Sequence, residues 1–200
     1  MMKEFSQLDN KQVFKPKVVE ELSASQRNNA LNLITMIKEK RDGKIKGRAC
    51  ADGRKQRGYI SKDEVSSPTV QLESLMITLL IDATEKRDVA TADIVGAYLL
   101  ADIDDYVLVK LTGETVGIMC QVNPSLQKFI TKEKGRDVLY LQLAKALYGC
   151  MQSALLWYDT FKGCLESLGF TLNPYDPCVT NRIVNGNQCT VVWYVDDTKI

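Results

Sequence analysis

The chain has 200 residues, of which 45% are hydrophobic and 26% are charged, and its formal net charge is +1. This composition is typical of one globular domain, or of one domain with a small lobe, and it excludes a disordered chain. The sequence contains no histidine, which excludes Ser-His and Cys-His hydrolases and any metal site with imidazole ligands.

The N-terminal half is predicted to contain two helices and a basic strand. Apolar residues at helical spacing predict a helix from Ser23 to about Lys40, ended by the turn at residues 41–43. The stretch KIKGRACADGRKQR predicts a basic strand, a turn and a loop. A second helix is predicted to begin at the candidate N-cap Ser67, with Pro68 at its first position. This helix is expected to pack on a core through Leu72, Leu75, Met76, Leu79 and Ala83.

Strands dominate the prediction for the C-terminal half. The stretch DVATADIVGAYLL predicts a strand that runs into a turn or helix at Gly96, and DYVLVKLTG and DVLYLQLAKALYG predict further strands. The stretch SALLWYDTFKGCLESLGF predicts a helix with Gly169 at its C-terminal cap. Two strand-like runs about Asn185-Gly186 predict a hairpin. Because helices and strands mix without strict alternation, we expect an α+β fold with an antiparallel sheet and helices on one face.

Basic residues are concentrated between Lys38 and Lys62, where ten Lys and Arg stand against three Asp and Glu. A polyanion would bind in such a window, and Arg54, Lys55 and Arg57 are candidate nucleic-acid contacts. The alternative is a solvated surface segment without a partner.

Paired carboxylates close the sequence, where the apolar run VVWYV is followed by Asp196 and Asp197. Such a pair requires either a turn in water or a cation. A second carboxylate, Asp93, also lies at the end of an apolar strand signal, in TADIVGAYL. Only the fold could unite Asp93 with Asp196, and we expect the three carboxylates to cluster.

The ordered blocks of this sequence resemble the reverse transcriptase of copia-type retrotransposon polyproteins. The resemblance runs through KIKGRACADGRKQRG, SSPTV, DIVGAYL, LAKALYGCMQSALLWY, LGFTLNPYDPCV and WYVDD, in the family's order. It implies a fingers–palm fold, with residues 1–29 as a lead-in segment and residues 30–200 as the fingers–palm domain.

The resemblance also implies template-directed deoxynucleotidyl transfer with two Mg²⁺ ions, or Mn²⁺ in their place, bound by carboxylates rather than histidine. Asp93 and Asp196 match the two metal-bridging aspartates and Asp197 matches the third, while Ile94 matches the residue whose backbone carbonyl completes the metal shell. The residues that match nucleotide contacts are Lys46, Arg48, Tyr98 and Gln152. Tyr98 matches the aromatic gate under the deoxyribose, although a core tyrosine is the alternative. The implied partners are an RNA or DNA template with its primer, deoxynucleoside triphosphates and other Pol domains.

Two departures from the family's pattern qualify this resemblance. Where the family commonly shows Gly-Leu-Lys-Gln-Ala-Pro-Arg-Ala-Trp-Tyr, residues 149–158 read GCMQSALLWY, so two basic residues are lost. The family's thumb and ribonuclease H domain would follow residue 200, and a short return strand would leave the YVDD hairpin with an unpaired edge. A chain truncated there is expected to polymerise poorly. The competing hypotheses are a decayed remnant that binds nucleic acid without synthesis, and a non-enzymatic binding module.

The expected compartment is intracellular. No C-x-x-C pair occurs among the six cysteines, which argues against a zinc knuckle and a dithiol redox site and favours reduced thiols. The N-terminus lacks the apolar core of a signal peptide, and no run approaches the length of a membrane span.

Overall fold

Two β-sheets and their flanking helices make up the structure, a computed structural model that describes residues 1–39, 41–61 and 63–200. The α-helices are Met2–Asn10 (α1), Ala24–Asn29 (α2), Leu72–Glu85 (α3), Glu114–Val122 (α4) and Ser153–Ser167 (α5). The strands are Phe14–Lys17 (β1), Leu31–Glu39 (β2), Ile45–Ala51 (β3), Thr91–Asp93 (β4), Leu108–Thr112 (β5), Thr131–Glu133 (β6), Arg136–Leu143 (β7), Thr171–Leu172 (β8), Val179–Val184 (β9), Asn187–Tyr194 (β10) and Asp197–Lys199 (β11). The mixed α+β architecture expected from the sequence is confirmed.

The larger sheet has the strand order β1-β7-β5-β2-β3, with β6 paired to β7. Strand β7 pairs with β1, β5 and β6, and four consecutive residues of β7 are buried because both faces are covered. Leu139 and Leu141 pack with Phe5 of α1 and Met119 of α4, whereas Tyr140 packs on the other face with Leu22. The N-terminal lead-in segment therefore contributes core residues to this sheet.

The helix predicted from Ser23 to Lys40 is wrong for most of its length. Ser23 does begin a helix, with a capping box in which its side chain and that of Gln26 satisfy each other's backbone N–H groups. That helix ends at Asn29, and residues 31–39 form β2, paired with β3 and β5. Leu31 and Leu33 are buried at a spacing of two, and strand pairing on both sides outweighs the helical spacing of the apolar residues. Lys40 lies outside the described residues.

The smaller sheet has the strand order β4-β11-β10-β9-β8 and is antiparallel throughout. The predicted hairpin turn at Asn185-Gly186 is confirmed, since both residues have positive φ, as a type I′ turn requires. Helix α5 packs on this sheet through Tyr158 and Leu165, which contact Trp193 in one apolar cluster. Gly169 takes the left-handed conformation at the predicted end of α5.

The expected unpaired edge after Asp197 is wrong. Although β11 has only three residues, it lies inside the sheet and pairs with β10 on one side and β4 on the other. Lys199 of β11 also forms a buried ion pair with Asp82 of α3. This short strand joins β4 to the rest of the smaller sheet.

Helix α3 exists as predicted, but its start and its packing differ from the prediction. It begins at Leu72 rather than beside Ser67, because the preceding segment is extended and the Gln71 N–H donates to Asp176 Oδ2 at 2.9 Å. Of the five residues expected in a core, only Leu75 is half-buried, and Leu72 is 62% exposed. The helix turns a polar side to the sheet through Asp82, so its apolar side faces outward. No helix among the described residues is long and apolar enough to cross a bilayer.

Candidate active site

The pairing of β4 with β11 brings two of the three predicted carboxylates together. Asp93 and Asp197 are direct partners in the antiparallel register, which places their Cα atoms about 4.5–5.5 Å apart. Their side chains project from the same face of the sheet, and both residues are exposed. The Ile94 N–H donates to the Asp196 carbonyl oxygen at 2.9 Å, which holds Asp196 beside the same seam.

Asp196 lies in the two-residue turn between β10 and β11. The other turn residue, Val195, has φ +56°, a left-handed conformation that is costly for a β-branched side chain. Trp157 of α5 supports this turn, because its indole Nε1–H donates to the Val195 carbonyl at 2.7 Å. Tertiary contacts from α5 thus hold a strained turn in place. Trp157 was predicted only as part of the helix in SALLWYDTFKGCLESLGF, and nothing in the sequence indicated this hydrogen bond.

Two tyrosines lie next to Asp196. The rings of Tyr98 and Tyr148 are 4.8 Å apart between centroids, and both are half-buried. Burial raises the pKa of Tyr98, and the negative charge of Asp196 raises it further. Burial and Asp196 also raise the pKa of Tyr148, while the Arg48 guanidinium opposes them. Tyr148 was not among the predicted site residues, although it stands in the resembling block LAKALYG.

The basic hairpin β2–β3 reaches this site through Arg48, whose Cζ lies 5.9 Å from the Tyr148 ring centroid. The predicted contacts Lys46 and Arg48 are exposed on β3, and Lys46 stands directly opposite Lys38 of β2. Lys38, Lys46 and Arg48 line a cavity of about 550 Å³ together with Arg41, and Met36 and Glu39 complete the lining. Like charges placed directly opposite each other repel, so an anion bound on this face of the hairpin would relieve the repulsion.

Gln152, a predicted nucleotide contact, is held in a buried hydrogen-bond network. Its side chain is buried; its Oε1 accepts from Gln56 Nε2 at 2.8 Å and its Nε2 donates to Asp105 at 2.8 Å. Gln56, fully buried, also accepts from the Met151 N–H at 3.0 Å. Gln152 therefore acts in this structure as one member of a network that joins three segments.

Close backbone packing accompanies this network. The Ala51 N–H donates to the Tyr148 carbonyl at 2.7 Å. A Cβ on Gly149, where φ is +90°, would lie 2.0 Å from the Ala51 carbonyl oxygen. Only glycine fits there, so the end of β3 and the start of α5 form one packed junction.

Two of the three predicted nucleic-acid contacts already have partners within the chain. Arg54 donates to both carboxylate oxygens of Asp52, and this hydrogen bonding lowers the pKa of Asp52 to about 2. Lys55 Nζ donates to the Asn28 and Ala30 carbonyls at the end of α2. Arg57 is exposed. These residues lie on the surface but are not gathered with the carboxylates into one cluster.

The three carboxylates can be compared with the ligands that Mg²⁺ usually takes in proteins. Across residues 1–39, 41–61 and 63–200, no group of three or more His, Cys, Asp and Glu side chains is arranged to hold a metal ion. Mg²⁺, however, is usually bound by one or two carboxylates, with water and substrate phosphates filling the remaining positions. The opposed pair Asp93 and Asp197, with Asp196 beside it, fits that donor set.

Comparison with known proteins identifies the family. Residues 17–200 match the family described as reverse transcriptase (RNA-dependent DNA polymerase). The chain belongs to this family. It is 26% identical over 199 residues to the retrovirus-related Pol polyprotein from transposon TNT 1-94 of Nicotiana tabacum, an alignment that covers 90% of this chain and 14% of that protein.

A second group of relatives comes from yeast. The chain is 28% identical over 168 residues to the transposon Ty1-DR4 Gag-Pol polyprotein of Saccharomyces cerevisiae, covering 84% of this chain and 9% of that protein. The resemblance to copia-type retrotransposon polyproteins is therefore confirmed. The chain spans a small fraction of the length of these relatives.

Proposed function

We propose that this chain is the fingers–palm part of an RNA-directed DNA polymerase of a copia-type retroelement. The observation that carries the proposal is the register of β4 and β11, which sets Asp93 directly opposite Asp197 although they lie far apart in the sequence. In this proposal, the smaller sheet is the palm and the β2–β3 hairpin belongs to the fingers.

The three carboxylates are proposed to have different roles. Asp93 and Asp196 are proposed to hold the metal ions with the Ile94 carbonyl, and Asp197 adds negative charge at the same seam. When bound, two Mg²⁺ ions lower the pKa of the primer 3′ hydroxyl and stabilise charge on the leaving pyrophosphate. The strained turn at Val195 and its bond from Trp157 fix the direction in which Asp196 points.

The basic hairpin is proposed to bind the triphosphate of the incoming nucleotide. Lys46 and Arg48 supply positive charge, and Lys38 strengthens it from the opposite strand. Arg48 and Asp196 both lie close to Tyr148, so a nucleotide between them would meet the cationic hairpin at one end and the carboxylates at the other. Tyr98, packed beside Tyr148, is proposed to lie under the deoxyribose.

Single-turnover addition of one nucleotide tests the proposal. With protein in excess over an RNA template and DNA primer, and with Mg²⁺ present, we expect the primer to lengthen by one nucleotide. Asp196→Asn is expected to slow this step at least about 100-fold. The matched control is Asp159→Asn, an exposed aspartate on α5, which should leave the rate unchanged.

The same experiment separates the competing hypotheses. Salt-sensitive binding of the template and primer without extension would favour a remnant that binds nucleic acid without synthesis. Absence of both binding and extension would favour a non-enzymatic module with another partner. Equal rates for Asp196→Asn and the native chain would overturn the assignment of the carboxylates.

A further inference from the structure

Tyr59 and Tyr106 form a pair of exposed aromatic side chains outside the candidate active site. Tyr59 is 60% exposed and Tyr106 is 48% exposed, and both line one cavity of about 300 Å³. The cavity is completed by neutral polar side chains of α2, among them Ser25, Gln26 and Asn29. Two accessible rings beside hydroxyl and amide groups suit a flat, polar, aromatic ligand better than an aliphatic one.

Buried residues hold the backbone next to both rings. Tyr59 follows a 3-10 helix over Gly53–Gly58 that is anchored by the fully buried Gln56. Burial of its hydroxyl end raises the pKa of Tyr59, and the hydrogen bond with Gln56 opposes that shift. Tyr106 stands between Asp105, which accepts from Gln152, and the buried Val107. The two rings are therefore set on a rigid base before any ligand binds, which reduces the entropy lost on binding.

Lys17 places one positive charge beside the Tyr106 ring. Lys17 Nζ lies 5.7 Å from the Tyr106 ring centroid, within reach of a phosphate beside a base stacked on that ring. No acidic residue lines the cavity in the part of the chain that the structure describes. The residues that line the cavity are neutral, but two carboxylates lie beside it. Asp104 is exposed, and Asp105, which accepts from the Gln152 amide, keeps its negative charge and helps to raise the pKa of Tyr59.

We propose that Tyr59 and Tyr106 form a stacking platform for an unpaired base of a single-stranded nucleic acid. The platform rests on the proposed function, since it would hold the template before that strand enters the active site. Asp105, Gln152 and Gln56 connect the platform with the start of α5, whose Trp157 supports the turn that carries Asp196. Helix α5 is therefore the element that lies between the platform and the turn that carries Asp196.

Anisotropy with a fluorescent single-stranded oligoadenylate of about 12 nucleotides tests the platform in the absence of Mg²⁺. We expect Tyr59→Ala and Tyr106→Ala each to weaken binding by roughly tenfold or more, since base–aromatic stacking contributes strongly to such complexes. Tyr59→Trp and Tyr106→Trp should retain binding because they retain a ring. The control is Tyr175→Ala, which removes a more exposed tyrosine from a different cavity.

Three further measurements make the outcome specific to stacking. An abasic oligomer of the same length should bind the native chain as weakly as the intact oligomer binds the alanine variants. The slope of affinity against salt should stay the same in those variants, because no positive charge has been removed. Free adenosine monophosphate should compete poorly if the ligand is a strand, and competition at equal concentration would assign the cavity to a free nucleotide instead.

Failure of this inference can be told from failure of the proposed function. Native affinity in both alanine variants, or an equal loss in Tyr175→Ala, would overturn the platform even if the chain extends primers. Conversely, ring-dependent binding without primer extension would support the platform and count against catalysis. Circular dichroism of each variant checks that the fold is intact.

Discussion

Asp93 and Asp197 stand directly opposite each other on neighbouring antiparallel strands. Two negative side chains on the same face at this spacing repel, and cross-strand pairs of this kind are worth about 0.2–1 kcal/mol. The pair therefore weakens the pairing of β4 with β11, unless a cation lies between the two carboxylates.

This repulsion predicts a metal-dependent stability. Without Mg²⁺, Asp93→Asn should raise the free energy of unfolding by about 0.2–1 kcal/mol, measured by urea denaturation. Added Mg²⁺ should stabilise the native chain, since a ligand that binds only the folded state shifts the equilibrium. It should stabilise Asp93→Asn much less, while the exposed control Asp88→Asn should respond like the native chain. An identical response to Mg²⁺ in all three proteins would count against a metal site at this seam.

The bond from Trp157 to the Val195 carbonyl predicts a specific loss of stability. Trp157→Phe should lower the free energy of unfolding by about 1–3 kcal/mol beyond its packing loss, because a carbonyl in a strained turn loses its donor. Trp193→Phe makes the same change at a neighbouring buried tryptophan without touching the turn. Equal losses in the two variants would show that the hydrogen bond contributes little.

The hydrogen-bond network around Gln56 predicts a loss of stability when Gln56 is replaced. Gln56→Leu leaves the Met151 N–H and the Gln152 Oε1 without a partner, so stability should fall by about 1–3 kcal/mol or more. Gln188→Leu, an exposed glutamine on β10, is the control. Thermal unfolding of both variants measures the difference, and a neutral Gln56→Leu would contradict the assigned network.

If Tyr98 lies under the sugar of the incoming nucleotide, replacing it should change the choice between ribonucleotides and deoxyribonucleotides. Tyr98→Ala should reduce the rejection of ribonucleotides by roughly tenfold or more, because discrimination built on a steric clash is lost with the ring. Tyr98→Phe retains the ring and should keep the native ratio of incorporation efficiencies for a ribonucleotide and its deoxy counterpart. An unchanged ratio in Tyr98→Ala, in a folded and active protein, would leave Tyr98 as a core residue.

Buried thiols predict a loss of stability in alkali. Burial raises the pKa values of Cys150 and Cys178 from 9.0 to about 12 in the folded chain. Between these values the unfolded chain releases thiol protons that the folded chain retains, so the free energy of unfolding falls as pH rises. The expected slope is about 1.4 kcal/mol per pH unit for each thiol. Urea denaturation between pH 8 and pH 11 measures it, and Cys150→Ala should have a shallower slope than the matched variant of the exposed Cys164.

Local signals in the sequence predicted the parts of this fold that local chemistry decides. The Asn185-Gly186 turn, the end of α5 at Gly169 and the start of a helix at Ser23 all depend on nearby residues, and all three are confirmed. Residues 31–39 form a strand because β3 and β5 pair with them, and the spacing of their apolar residues does not indicate those partners. The outward-facing apolar side of α3 could not be predicted either. It results from the ion pair of Asp82 with Lys199, which lies on a strand far along the chain.

The candidate site also contains residues that local signals indicate and residues whose contacts are long-range. Asp93, Asp196 and Asp197 were found because each follows an apolar strand signal, and their meeting required only that the strands share a sheet. Gln56 and Tyr148 were missed because a buried glutamine and a tyrosine in a mixed segment carry no periodic signal. Their roles arise from hydrogen bonds and ring contacts between segments that the sequence separates widely.

The position of β11 makes assembly of the carboxylate pair a late event in folding. Pairing β11 with β4 closes a loop of roughly one hundred residues, at an entropic cost of about 4 kcal/mol for a flexible chain. Contacts of such long range form after local hairpins and helices, when much of the chain is already ordered. Nascent chains and partly folded states would therefore keep Asp93 and Asp197 apart. If the proposed function is right, nucleotide addition would require the smaller sheet to be complete, because the register of the three-residue strand β11 sets Asp197 opposite Asp93.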